Sequence, residues 1–208
     1  MYSNSVDGAL MFVLGLTGSI GMGKSTTAAM FRAEGIAVHD SDAVVHALYA
    51  GAAAAAIEAA FPGTTHEGTV DRGLLAARVL DNPAALARLE ALVHPLVAEN
   101  RHAFLTEAAK SGAQIIVLDI PLLFETGLDR QADAVVLVSA PETVQKARVS
   151  QRPGMTPERL AVILGRQMGD AEKRARAHFV IDTGGGLASA ERQVRGILRA
   201  LAGAKSKL

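Results

Sequence analysis

The stretch Gly18-Ser-Ile-Gly21-Met-Gly23-Lys24-Ser25, with Thr26 behind it, is a complete G-x-x-x-x-G-K-S phosphate-binding loop. Phe12-Val-Leu-Gly-Leu16 before it has the continuous apolar character of a buried strand. Thr26 to Glu34 after it reads as a helix that Gly35 stops. Strand, glycine loop and helix in this order are the setting the motif requires. The residue types follow from the chemistry. Glycines let backbone N–H groups close around phosphate oxygens, and the helix beginning near Lys24 adds its positive N-terminal end. Lys24 carries a charge to the β- and γ-phosphates, and the Ser25 hydroxyl is placed for Mg2+. The expectation is that Gly18, Ser19, Ile20, Gly21, Met22, Gly23, Lys24, Ser25 and Thr26 hold the phosphates of a nucleoside triphosphate.

On either side of the loop and along the rest of the chain, apolar, β-branched runs recur between helical stretches. They are Ile36 to His39 ending at Asp40, Ile115 to Leu118 ending at Asp119, Ala134 to Val138, and Phe179 to Ile181 ending at Asp182. Such runs suit strands buried on both faces, and their alternation with helices predicts a parallel sheet. The expected fold is α/β: a P-loop core of about five parallel strands flanked by helices, with a helical insertion and a lid. Ligands of such sheets bind at the carboxyl ends of the strands, where Asp40, Asp42 and Asp119 fall.

The expected division is a core of residues 11–41, 113–147 and 178–208, a helical substrate lobe of residues 42–112, and a lid of residues 148–177. Within the lobe, Asn82-Pro83 marks a helix start. Leu86, Leu89, Leu92 and Val93 give that helix an apolar face, and His94-Pro95 is expected to interrupt it. Met11 directly precedes the first strand, so residues 1–10 are expected to be an extension. They lack the basic and apolar regions of a signal peptide.

Lys and Arg together number 21, as do Asp and Glu, so the net charge is zero. This argues against a nucleic-acid partner held by bulk electrostatics. Cysteine is absent, which excludes disulfides, thiolate zinc sites and a cysteine nucleophile. No apolar run approaches the ~20 residues of a membrane helix. The expectation is a cytoplasmic protein with no membrane partner, monomeric or weakly homo-oligomeric.

Three clusters carry chemistry. Asp40-Ser-Asp42 follows a strand end, where a carboxylate can orient an alcohol and take its proton; the same residues also suit a helix N-cap. Val117-Leu-Asp119 has the form of a strand whose terminal carboxylate holds Mg2+ directly or through water. Arg148, Arg152, Arg159, Arg166, Arg174 and Arg176 crowd the region after the fourth strand. Arg148 and Arg152, four apart on a helix begun by Pro141, share a face and suit a lid that reaches triphosphate oxygens. Arg159 reads as solvated. Taken alone, His94 reads as a packed core histidine and Asp71-Arg72 as an N-cap pair.

These landmarks together resemble the dephospho-coenzyme A kinase family. The resemblance runs from about Phe12 to Leu201. It rests on Leu16 to Thr26, Asp40-Ser-Asp42, Asp71-Arg72, Leu89-Glu90 with His94-Pro95, and Asp119-Ile-Pro-Leu-Leu-Phe-Glu125. Gln145 with Arg148 and Arg152, then Gln167, then Val180-Ile-Asp182 complete it. The resemblance implies ATP-dependent phosphorylation of the ribose 3′-hydroxyl of dephospho-coenzyme A. It implies Asp42 as general base beside Asp40, with Lys24 and Arg148 also serving the reaction. Arg72 and His94 would lie in the substrate lobe, and Arg148 and Arg152 at the nucleotide and lid. Ser19 and Met22 depart from the family at variable loop positions. His178 stands where the family usually has Asp, and Thr183 where it usually has Asn. Two rival readings are another small-molecule or nucleotide kinase on the same core and a nucleotide-binding switch. The strand-end carboxylates and lid arginines favour a kinase, and no guanine-reading Asn-Lys-x-Asp sequence is present.

Overall fold

The computed structural model of the chain describes residues 5–6 and 9–205. Of the segment expected to be an extension, Ser5–Val6 (β1) and Ala9–Leu10 (β2) pair antiparallel; residues 1–4, 7 and 8 lie outside the described residues, as do 206–208. By its contacts the chain divides into two compact units. One comprises the N-terminal part to His39 and the part from Ala108 onward, and the other is Asp40–Glu107.

The first unit is built on a five-stranded sheet in the order β4-β7-β3-β8-β9. Its strands are β3 (Phe12–Thr17), β4 (Ala37–Asp40), β7 (Ile115–Asp119), β8 (Ala134–Ser139) and β9 (Phe179–Asp182). β3 lies parallel to β7 and β8, and β8 parallel to β9. The expected α/β core of five parallel strands is therefore present. β5 (Thr65–His66) and β6 (Thr69–Val70) form a separate ladder in the second unit.

Successive side chains of a strand point to opposite faces, and here both faces are buried. Leu14, Leu16, Val117, Val136, Val138 and Ile181 face a core completed by Ala28 and Phe31 of α1 (Lys24–Ala33) and by Ala190, Val194 and Ile197 of α9 (Leu187–Lys205). The alternate residues Val13, Ile116, Leu118, Val135 and Leu137 are equally buried. This double burial is why the strands read as unbroken apolar runs and not as alternating ones. The remaining helices of this unit are α6 (Glu142–Ser150), α7 (Pro157–Gly165) and α8 (Asp170–Arg176). α6 ends at Ser150, so Arg152 lies in the following turn and not on the helix with Arg148. Gln151 closes the helix, and Pro153 bars its extension.

The second unit holds α2 (Ser41–Tyr49), α3 (Ala54–Ala60), α4 (Arg72–Val79) and most of α5 (Pro83–Lys110) around Ile57, Phe61, Val70, Leu75, Leu89 and Val93. Two sequence expectations are corrected here. His94-Pro95 does not interrupt α5, which runs through Pro95 for 28 residues. A proline inside a helix forfeits one hydrogen bond and costs ~3 kcal/mol or more. Leu89, Val93, Leu96 and Val97, packed into the same core on either side of it, supply the burial that offsets this. His94 itself is exposed and not packed in the core, because its neighbours Val93, Leu96 and Val97 take the inner face. Among the described residues no single helix is long and apolar enough to cross a membrane.

Candidate active site

The phosphate loop closes the gap between β3 and α1. Its carbonyls are drawn into the protein. Gln145 Nε2 donates to the Ile20 carbonyl (2.7 Å) and Thr183 Oγ1 to the Met22 carbonyl (2.9 Å), while Arg148 Nη1 makes a longer contact to the Gly21 carbonyl (3.4 Å). In a trans peptide the N–H points opposite to the preceding C=O. Fixing these carbonyls therefore turns the Gly21 and Gly23 N–H groups the other way, toward the mouth of the loop. Gly23 is the N-cap of α1 with no side-chain cap, so the first N–H groups of the helix are left for a ligand.

Two glycines are needed here for backbone reasons. Gly21 and Gly23 have φ of 78° and 90°, a region that residues with a Cβ rarely adopt. A Cβ on Gly21 would also lie 2.5 Å from Val149 Cγ2. Gly21→Ala is expected to lose about 1–3 kcal/mol of stability and most ATP affinity. Thermal melting and ATP titration check this, and an unchanged melting temperature would contradict the geometry.

Lys24 Nζ lies 2.6 Å from Asp119 Oδ1, and the Asp119 side chain is almost wholly buried. Sheet register explains the meeting: Leu16 pairs with Asp119 across β3 and β7, which sets the carboxylate beside the loop's base. Past Asp119, Thr17 Oγ1 donates to the Pro121 carbonyl (2.9 Å) and fixes the start of the Pro121–Glu125 segment.

Arg148 is half-buried. Its guanidinium donates to Thr183 Oγ1 (2.8 Å) and to the Thr183 carbonyl (2.9 Å). Thr183, one of the two departures noted in the sequence, thus joins the arginine to the loop at Met22. His178, the other departure, accepts the Val135 N–H through Nδ1 (3.1 Å), a role a carboxylate would also fill. Thr26, Thr27, Arg148, Arg152, Thr183 and Leu187 are among the residues lining a 320 Å3 cavity beside the loop. Arg152 is exposed at its rim, and Arg159 donates to the Gly154 carbonyl from an exposed position.

In the second unit Asp40 is half-buried and N-caps α2, its Oδ1 accepting the Ala43 N–H (3.0 Å). Asp42 stands exposed in the first turn of that helix, its side chain with no hydrogen bond or ion pair among the described residues. Asp71 N-caps α4 through the Gly73 and Leu74 N–H groups, and these bonds hold its carboxyl below the usual range. Arg72 Nη1 lies 2.8 Å from His46 Nε2. His94 sits on α5 away from this pair in sequence, and no hydrogen bond brings it to Arg72. Gln145 and Gln167, landmarks of the resemblance with no chemical role legible in the sequence, belong to this site as well. Their hydrogen bonds to the loop link residues more than a hundred apart in sequence, a separation that no local pattern reveals.

The sequence pattern of the dephospho-CoA kinase family matches residues 12–189. A dephospho-CoA kinase of Mesorhizobium japonicum is 58% identical over 193 residues, covering 93% of this chain and 98% of its own. One of Rhodopseudomonas palustris (strain BisB18) is 56% identical over 192 residues, covering 92% and 96%. Among solved structures, TT1252 of Thermus thermophilus is similar with a TM-score of 0.80 at 36% identity, covering 92% of this chain and 98% of its own. With identity of this order running the length of the sheet, the loop and the lobe, the chain belongs to the dephospho-CoA kinase family.

Proposed function

We propose that this chain transfers the γ-phosphoryl group of ATP to the ribose 3′-hydroxyl of dephospho-coenzyme A, giving coenzyme A and ADP. The observation that carries the reading is the phosphate loop with Lys24 held at Asp119, in a chain of this family. Residues Gly18 to Thr26 bind the triphosphate, and the cavity lined by Thr27, Arg148, Thr183 and Leu187 takes the nucleoside end. Lys24 leaves Asp119 for the β- and γ-phosphoryl oxygens and balances the charge that develops there. Arg148 and Arg152 supply further positive charge on the lid side. Asp42 accepts the proton of the ribose hydroxyl, and Arg72 and His94 belong to the acceptor's binding surface.

Ser25 and Asp119 are hard oxygen donors, and no cluster of three or more histidine or acidic side chains able to hold an ion is found among the described residues. This sparse oxygen set fits Mg2+, which keeps several waters and takes substrate phosphates as ligands. Bound there, the ion would neutralise negative charge on the phosphoryl oxygens that otherwise repels the incoming hydroxyl.

A coupled assay of ADP release tests the reading. Dephospho-coenzyme A should serve as acceptor far better than nucleoside monophosphates or shikimate. Nucleotide turnover indifferent to every acceptor would overturn it and favour a switch.

A further inference from the structure

We infer that Gln167 is a positioning residue for the phosphate loop, and that Glu125 sets it in place through the buried pair it forms with Lys173. Gln167 lies in the turn between α7 and α8, and its Oε1 accepts the Ile20 N–H (3.3 Å). Gln145 Nε2 holds the carbonyl of the same residue at 2.7 Å. Both backbone groups of Ile20 are thereby held by side-chain amides from different elements, α6 on one side and the α7–α8 turn on the other. Ile20 directly precedes Gly21, whose left-handed backbone starts the phosphate-facing part of the loop. The Ile20 carbonyl shares a peptide plane with the Gly21 N–H, and the Ile20 N–H lies in the plane before it, so a shift at either contact would swing the Gly21 N–H out of line.

The turn that carries Gln167 bonds back to α7, the Gln167 N–H donating to the Leu164 carbonyl (3.0 Å), and it is also held from outside. Glu125 Oε1 accepts the N–H of Met168, the very next residue, at 2.8 Å. The same oxygen lies 2.9 Å from Nζ of Lys173 on α8, a lysine with 0% of its surface exposed. Burial pushes the Glu125 carboxyl up, but the Lys173 ammonium and the Met168 N–H more than reverse this and hold it below the usual carboxylate range. A charged pair out of water is weak evidence for stability. Here it does something geometric: it fixes the α7–α8 turn against the segment that begins at Asp119. Arg176 reinforces the same junction, stacking 4.6 Å over Phe124 and pairing with Asp129 at 3.2 Å. The short Asp119–Glu125 segment thus meets the loop twice, directly at Lys24 and indirectly through Gln167.

The test uses the full chain and steady-state kinetics for both substrates, with melting curves alongside. Loss of one hydrogen bond predicts that Gln167→Ala raises KM for ATP roughly three- to tenfold. Its KM for dephospho-coenzyme A and its melting temperature should stay near wild type. Removing Glu125 alone would strand the Lys173 charge and endanger folding, so the pair is replaced together. Glu125→Leu with Lys173→Met removes both charges and the acceptor for Met168. It should fold and raise KM for ATP as Gln167→Ala does. Glu125→Gln with Lys173→Met keeps a carbonyl acceptor and should keep KM for ATP within about twofold of wild type. Adding Gln167→Ala to the Leu/Met variant should cost little more, because the two changes act through one contact. An unchanged KM for ATP in Gln167→Ala, equal rises for both substrates, or additive losses in the combined variant would each overturn the assignment. Wild-type turnover of dephospho-coenzyme A, measured in the same assay, tests the proposed reaction separately.

Discussion

Lys24→Met is expected to lower kcat/KM for ATP by on the order of 10³, the scale of removing a preorganised charge from the transferring phosphoryl group. The lysine is already fixed beside the loop. Its ammonium is 2.6 Å from Asp119, at the base of a loop whose carbonyls are tied away from the ligand side. Methionine preserves the length of the side chain and much of its packing while removing the charge. A second effect accompanies the first. Asp119 is 1% exposed and would lose its lysine, so stability should fall by about 1–3 kcal/mol. The two effects separate in a double variant. Adding Asp119→Asn removes the buried charge and should restore the melting temperature while leaving activity low. Melting curves and ADP-release kinetics on the three proteins decide the matter. A kcat/KM for Lys24→Met within tenfold of wild type would remove the lysine from the proposed chemistry.

Asp42→Asn is the second large change. If Asp42 takes the ribose proton, kcat should fall about 10²- to 10⁴-fold, with KM for ATP nearly unmoved. The structure distinguishes the two carboxylates of Asp40-Ser-Asp42. Asp40 is engaged in capping α2 through the Ala43 N–H, whereas Asp42 is exposed with no partner among the described residues. Replacing Asp40 by Ala should therefore appear chiefly as lost stability, about 1 kcal/mol for an N-cap, with a smaller effect on turnover. Equal losses of turnover in the two variants would argue for a shared role, and an unaltered turnover in Asp42→Asn would remove it as the base.

The regular elements were largely legible because their signals are local. A buried parallel strand needs an unbroken apolar run, and Ile115–Asp119 and Ala134–Ser139 have one. Caps are local too: Gly35, with φ of 79°, stops α1, and Asn82 Oδ1 accepts the Ala85 N–H at the start of α5. The failures mark where tertiary burial outweighs local preference. Pro95 carries a breaking signal, yet α5 passes through it because the residues around it are packed into the lobe's core. His94 read as buried by its apolar neighbours, but a helix face is set by rotation and not by composition, and it turns outward.

The phosphate loop, the parallel sheet that presents it, the carboxylates at and just past the strand ends, and the family they resemble are all readable along the chain. Each is written in contiguous residues or in fixed spacing. How the loop is held emerges only on folding: Lys24 at Asp119, Ile20 between Gln145 and Gln167, Arg148 on Thr183, and Lys173 buried on Glu125. These partners come from different strands and helices. A glutamine or lysine far along the chain has no local mark to say which backbone group it will meet, because sheet order and helix packing choose its partner.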